Sequence, residues 1–371
     1  MGEIERDIGQ LLWVGFHGAA APSSLRDAIA RGEVGAVVVF ARNLAVADEC
    51  LDVDATVDLT ESIHGAAAAG APPPLIAVDQ EGGRVQRVRA PATRWPAMLS
   101  FDRLDPAEAR ALAGAVGEAL GAELAVLGFD VDFAPVLDVH TNPDNPVIGD
   151  RAFGTDPGSV ADRALAFAAG LERAGVVPCG KHFPGHGDTS TDSHLELPRV
   201  DHCIDRLRAV ELVPFVRAAR AGMPMFMTAH VVFAAVDDTA PATLSPRVLR
   251  EVLRGEVGFD GVALSDDLDM RAIRDHFGAA EAAVRAIESG CDALLLCADE
   301  DAQAAAREAL VRRSRDDAAF RARVAEAAAR VRALHRRLPA PGRASAARAR
   351  EVLGCARHRE LAARLGGGGG G

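Results

Sequence analysis

The chain has 371 residues, is 49% apolar and carries a formal net charge of −12. That much apolar chain suffices for one barrel-sized domain or two smaller ones, and the acidic balance argues against nucleic acid or an anionic membrane surface as a partner. No run of eighteen apolar residues occurs, and the start, MGEIERDIGQLLWVGF, has acids where a secretory leader needs basic residues, so a cytoplasmic address is expected.

Short apolar, β-branched runs recur at residues 11–16 (the weakest), 35–40, 75–79, 131–138, 176–180, 225–229, 262–265 and 293–297. Between them, segments such as 105–127 and 160–174 carry Ala, Leu, Glu and Arg at helical spacing with little Gly or Pro. Strand alternating with helix predicts parallel pairing through right-handed crossovers. Eight repeats predict an α/β protein built as a single (β/α)8 TIM-type barrel, ahead of an open sheet with a helical cap.

The six cysteines (Cys50, Cys179, Cys203, Cys291, Cys297 and Cys355) include no CxxC pair and read as small buried hydrophobes in a reducing compartment. No GxxxxGK[ST] occurs, nor a GxGxxG between a strand and a helix, so nucleotide chemistry loses its main support. Beyond about Asp299 the composition is nearly pure Ala, Arg, Glu and Leu, as in closing helices; it then frays through LPAPGRASAARAR towards six glycines at 366–371. The expected division is a catalytic domain over residues 1–340 and, over 341–371, a C-terminal Ala/Arg-rich segment fraying into a flexible, chemically silent glycine tail.

One stretch concentrates chemistry. KHFPGHGDTSTDSH, residues 181–194, places three histidines, two aspartates and a lysine in fourteen positions, and Pro184, Gly185 and Gly187 rule out a continuous helix. It reads as a loop that starts where a buried strand emerges, the edge at which parallel α/β folds carry their sites.

Other runs also finish on residues costly to bury without a partner: Asp79, Asp138 with His140, Arg151, His230, and Asp266 with Asp267. Each alone is most simply a helix cap or a loop salt bridge, and Asp267, ahead of LDMRAIRDHF, suits a helix N-terminus. Together they read as the lining of one pocket. Asp266 emerges at a rigid strand terminus, which suits a nucleophile or base, although a buried pair with a pocket cation stays open.

Within the histidine stretch two readings compete. His182 and His186, with Asp188, have metal-site spacing, but Pro184 and Gly185 remove the helix that makes such spacing work. Asp192 and His194 are two apart, so in extended chain they point the same way. Asp192 could then hold one ring nitrogen and favour a protonated ring on the other, as a proton donor requires.

These motifs, with VDQEGGRVQR, NPDNPVIGDRAFG, MTAH and GFDGVALSDDLDM, resemble the glycoside hydrolase family 3 β-N-acetylhexosaminidases, the single-domain branch that includes the peptidoglycan-recycling enzymes. The likeness spans about residues 35–270 in the family's order. It implies a (β/α)8 barrel that removes terminal non-reducing β-linked N-acetylglucosamine, from muropeptide or chitooligosaccharide fragments, with retention and through a covalent glycosyl-aspartate. By the same resemblance Asp266 matches the nucleophile, His194 the acid/base and Asp192 its dyad partner. Asp79, Arg87, Arg151, Lys181 and His182 match positions that hold the sugar, and no metal or organic cofactor is implied.

Rivals on the same scaffold are an N-acetylglucosaminide phosphorylase, a glycosidase of a specialised metabolite, a metal-dependent hydrolase using His182, His186 and Asp188, and an idle sugar-binding protein. The oligomeric state is not legible in the sequence.

Overall fold

Eight parallel strands close into a barrel in which each strand pairs with its neighbours in chain order and the last returns to the first. The strands are β1 (Leu12–Val14), β2 (Ala36–Val39), β3 (Leu75–Val78), β4 (Val131–Asp132), β5 (Val177–Phe183), β6 (Met225–Thr228), β7 (Val262–Asp267) and β8 (Ala293–Leu296). The computed structural model describes residues 2–47, 50–190, 197–338 and 344–367. The weakest run in the sequence does form β1: its three residues are buried and pair with both β8 and β2. The expected count of eight therefore stands.

The strands are nearly all apolar because both faces are covered. Alternate residues divide between two cores: Val37, Val39, Ile76 and Val78 pack outward among the helices, while Ala36, Val38, Ala77, Cys179, Met227 and Leu264 fill the barrel interior. Trp13 stacks on Phe133 there, ring centres 6.2 Å apart.

The surrounding helices include α1 (Glu3–Leu11), α2 (Ser23–Ala30), α3 (Val53–His64), α4 (Pro106–Val126), α5 (Pro157–Arg173), α6 (Ile204–Ala209), α7 (Leu212–Arg220), α8 (Arg271–Phe277), α9 (Ala279–Ser289), α10 (Glu300–Asp316) and α11 (Ala318–His335). Asp105 and Asp156 cap α4 and α5 by accepting backbone N–H groups, each with proline in the first turn. These two helices touch backbone to backbone: a Cβ on Gly117 would lie 2.1 Å from the Phe167 carbonyl. Among the described residues no helix is long and apolar enough to cross a membrane.

Two expectations change. β5 runs on through Phe183, so Lys181 and His182 are its last rungs rather than the start of a loop. The segment after residue 340 is not a silent tail: α12 (Ala346–Val352) and α13 (Ala356–Gly366) pack on α3 and α4. Leu353, at the end of α12, and Leu361 and Leu365, four apart on α13, bury there, which the Ala and Arg content of the stretch obscures.

Candidate active site

The residues of interest gather at the C-terminal mouth of the barrel. Val177 and Cys179 point into the barrel interior, and the same alternation sends Lys181 inward, where its side chain is 2% exposed. A lone buried ammonium is prohibitively costly, so it must be paired. Its Nζ lies 2.8 Å from Asp79 Oδ1 and 2.6 Å from Glu81 Oε1.

Asp79 follows β3, and Glu81 sits on the antiparallel ribbon Gln80–Gly82 with Val85–Gln86 that comes next. Arg151 grips Glu81 with two bonds of 2.8 Å and donates a third to the Val147 carbonyl. Arg87 reaches Asp79 at 3.4 Å. Burial works against the charge on Asp79 and Glu81, but Lys181 and Arg87 outweigh it for the first, Arg151 and Lys181 for the second, and both carboxyls are held below their ordinary values. Burial pulls Lys181 down while Asp79 and then Glu81 lift it, to about 12.

Underneath lies Asp132, fully buried, accepting the Gln80 N–H on Oδ1 at 2.9 Å. Its Oδ2 has no hydrogen-bond partner among the described residues, and burial pushes its carboxyl well above the usual range.

His182 is oriented by Asp138, whose carboxylate lies 2.7 Å from Nδ1 and also accepts the His182 and His186 amides. Burial opposes the charge on Asp138, but His182 holds its pKa below the ordinary value. An ionised Asp138 requires the proton on Nδ1, which leaves Nε2 as the atom available elsewhere. His186 bonds Thr189 through Nδ1 at 2.7 Å, and burial followed by the charge of His182 lowers its pKa to about 4.

On the opposite wall β7 ends in Asp266 and Asp267. The Asp267 N–H donates to Asp266 Oδ1 at 2.8 Å. Asp267 Oδ1 accepts N–H bonds from Asp269 (3.1 Å) and Cys297 (3.2 Å), and burial, then Asp269, raise its pKa to about 7. It does not cap α8, whose N-cap is Met270; it ties β7 to β8 instead. His230 braces the same turn, with Nε2 3.0 Å from the Asp267 carbonyl oxygen and Nδ1 on Thr243.

A cavity of about 300 Å³ joins the two walls, lined by Asp79, Glu81, Arg87, Arg151, Lys181, His182, His186, Asp266 and Asp267, with Phe40, Val147, Met227 and Met270 as apolar surface. Its volume is at the low end of the range for small-molecule sites. A larger cavity, about 440 Å³, lies outside the barrel between α2 and α10, where Glu33 is already paired with Arg307 and the Gln303 amide already donates to the Gly15 carbonyl. The convergence of buried charge favours the smaller cavity as the chemical site.

The structure therefore brings together Asp79, Arg87, Arg151, Lys181, His182, Asp266 and Asp267. Asp138 lies behind His182, and His140 and His230 fall outside the lining. Asp192 and His194 lie outside the described residues. Glu81 was missed by the sequence reading, although VDQEGGRVQR contains it, because it occupies a ribbon and not a strand end. His182, His186 and Asp188 do not converge as a metal set: Asp188 is held by Thr141 and His202, and among the described residues no group of three His, Cys, Asp or Glu could hold an ion.

Residues 3–334 match the model of the glycosyl hydrolase family 3 N-terminal domain. The beta-hexosaminidase of Alkalilimnicola ehrlichii is 44% identical over 290 residues, covering 77% of this chain and 80% of the relative. That of Nitrosospira multiformis is 41% identical over 272 residues, 72% and 75% of the two chains. Among solved structures, the family 3 beta-N-acetylglucosaminidase of Paenibacillus sp. superposes with a TM-score of 0.82 at 35% identity, over 98% of this chain and 68% of that one. NagZ from Neisseria gonorrhoeae in complex with N-trifluoroacetyl-D-glucosamine superposes at 0.79 and 32% identity, over 96% and 97%.

Proposed function

Because the chain belongs to glycosyl hydrolase family 3 and is a glycoside hydrolase of the β-N-acetylhexosaminidase type, we propose that it is a retaining exo-β-N-acetylglucosaminidase acting through a covalent ester on Asp266. The observation that carries this reading is the meeting of Asp266 with the Lys181, Asp79, Glu81 and Arg151 network across one small cavity. One wall offers donors and acceptors for sugar hydroxyls; the other offers a carboxylate at a braced strand end.

In the proposed reaction Asp266 attacks the anomeric carbon as the glycosidic C–O bond breaks, and His194, partnered by Asp192, gives its proton to the departing oxygen. The neutral imidazole then takes a proton from water, whose oxygen displaces Asp266 and preserves the anomeric configuration. Asp79, Arg87, Arg151, Lys181 and His182 hold the sugar. His182, with its Nδ1–H directed to Asp138, offers Nε2 as an acceptor for a hydroxyl. The N-acylated glucosamine bound by the gonococcal neighbour supports a 2-acetamido sugar in this cavity.

The proposed substrate is a cell-wall fragment carrying terminal N-acetylglucosamine, handled in the cytoplasm, with residues 1–340 as the catalytic unit. Incubation with a 5-fluoro N-acetylglucosaminyl fluoride, followed by peptide mass mapping, tests the central step. A sugar adduct on the peptide containing Asp266 is expected; an adduct on another carboxylate would overturn the assignment.

A further inference from the structure

α12 and α13 lie beyond the stretch that matches the family, yet they are wired to the wall of the cavity. The junction is Glu123, on α4, whose side chain is 2% exposed. Its carboxylate accepts the Thr93 hydroxyl at 2.6 Å and the Thr93 N–H at 3.1 Å, both from the loop that follows Arg87. It also accepts the Gly354 N–H at 2.8 Å and lies 3.0 Å from His358 Nδ1, both from the α12–α13 corner.

A buried carboxylate is tolerable only when its lone pairs are filled, and here donors from two distant parts of the chain share the task. Gly354 is in the left-handed region (φ +56°), and a Cβ there would lie 2.3 Å from the Pro91 carbonyl, so the corner is pressed directly on this loop.

From Thr93 the connection runs on towards the site. The His358 ring lies 6.3 Å from the ring of Trp95. The Trp95 backbone exchanges two hydrogen bonds with the Gln86 side chain, at 3.1 and 3.0 Å, and its carbonyl also accepts the Gly83 N–H at 2.9 Å. Gln86 precedes Arg87, whose N–H donates to Gln80 Oε1 at 2.8 Å and whose guanidinium faces Asp79 in the cavity. Apart from the His358–Trp95 ring contact and the chain itself between Thr93 and Trp95 and between Gln86 and Arg87, the links are hydrogen bonds between named groups.

We propose that the Glu123–His358 pair is a positioning device for the reaction: through Thr93 and Trp95 it sets the ribbon that carries Arg87 against the sugar. Neither residue touches the cavity. The idea rests on the assignment of Arg87 to the sugar made above, and it turns residues 344–367 from an appendage into a support of the site. A device of this kind acts on binding of the sugar more than on bond breaking, because the ribbon lies across the cavity from Asp266.

The test uses the full-length enzyme and reads KM, kcat and the inhibition constant of N-acetylglucosamine for His358→Leu, His358→Asn, Arg87→Ala and the pair His358→Leu/Arg87→Ala. Asn places an amide donor where Nδ1 stands, so it separates loss of the bond from loss of the ring. His358→Leu is expected to raise KM and the inhibition constant roughly tenfold with kcat within about twofold, and His358→Asn to restore most of the loss.

In the Arg87→Ala background the His358→Leu effect should vanish, since coupled residues are non-additive. If Arg87→Ala weakens binding but His358→Leu lowers only the melting temperature, the positioning role is refuted and the sugar assignment stands. If Arg87→Ala changes nothing, the assignment of Arg87 falls and this inference with it. Should His358→Leu not fold, Glu123→Gln, which keeps one acceptor oxygen for the same donors, is read by the same criteria.

Discussion

Arg151 and Glu81 meet as a planar fork on a planar carboxylate, two bonds of 2.8 Å between groups that are 11% and 2% exposed. Such a pair fixes direction as well as charge, which a lysine cannot reproduce. Arg151→Lys should therefore keep the fold and the net charge while raising KM about tenfold, with the inhibition constant of N-acetylglucosamine rising in parallel. An unchanged inhibition constant would remove Arg151 from the sugar-binding wall.

Lys181→Met should expose what the ammonium does for stability. With the cation gone, Asp79 and Glu81 face each other buried, a loss of about 3–5 kcal/mol at pH 7. In the wild type both carboxyls are depressed below their unfolded values. Their contribution is thus complete above the unfolded pKa of about 4 and drains away as pH falls below it. Urea unfolding should show the gap between variant and wild type narrowing as pH falls below about 4; a gap constant with pH contradicts the network.

Asp267 behaves in the opposite sense. Its folded pKa, raised to about 7, lies above the unfolded value, so the residue costs nothing at low pH, destabilises progressively as pH climbs from about 4 to 7, and levels off above that. Asp267→Asn keeps an oxygen for the Asp269 and Cys297 amides while removing the charge. The variant should match the wild type at pH 4 and exceed it by about 1–4 kcal/mol at pH 8. Equal stability at both pH values would show that Asp267 ionises without penalty.

The dyad is tested at Asp192. Its carboxylate, as proposed, favours the protonated form of His194, so Asp192→Asn should move the basic limb of the kcat/KM profile to lower pH. The loss of rate should also be greater for a sugar or alkyl aglycone than for nitrophenol, which departs without help. Profiles that superimpose would dissolve the partnership.

Much of this architecture was legible because it depends on periodicity. Even residues 11–16 announced β1, and Asp79, Lys181 and Asp266 stood out because a charge at the end of an apolar strand demands a reason. Glu81 escaped because its place on a ribbon is dictated by pairing across a turn, which no local pattern reports. Pro184 and Gly185 are strong breakers and point to a loop at Lys181 and His182, yet pairing with β6, and a bridge from Val136 to Lys181, hold the strand together up to Phe183. α12 and α13 are hidden in the sequence because a few buried leucines and the distant Glu123 dock them, while the composition around them resembles a solvated tail.

The salt links of the cavity have a further consequence for selectivity. Three cations, Lys181, Arg151 and Arg87, answer Asp79, Glu81 and the proposed nucleophile Asp266. A compartment so nearly self-compensated has no electrostatic appetite: it recruits a guest by contour and hydroxyl pattern. For the proposed substrate, removing the acetyl group, which would hand the sugar an ammonium, would win no attraction in exchange for the contacts it forfeits.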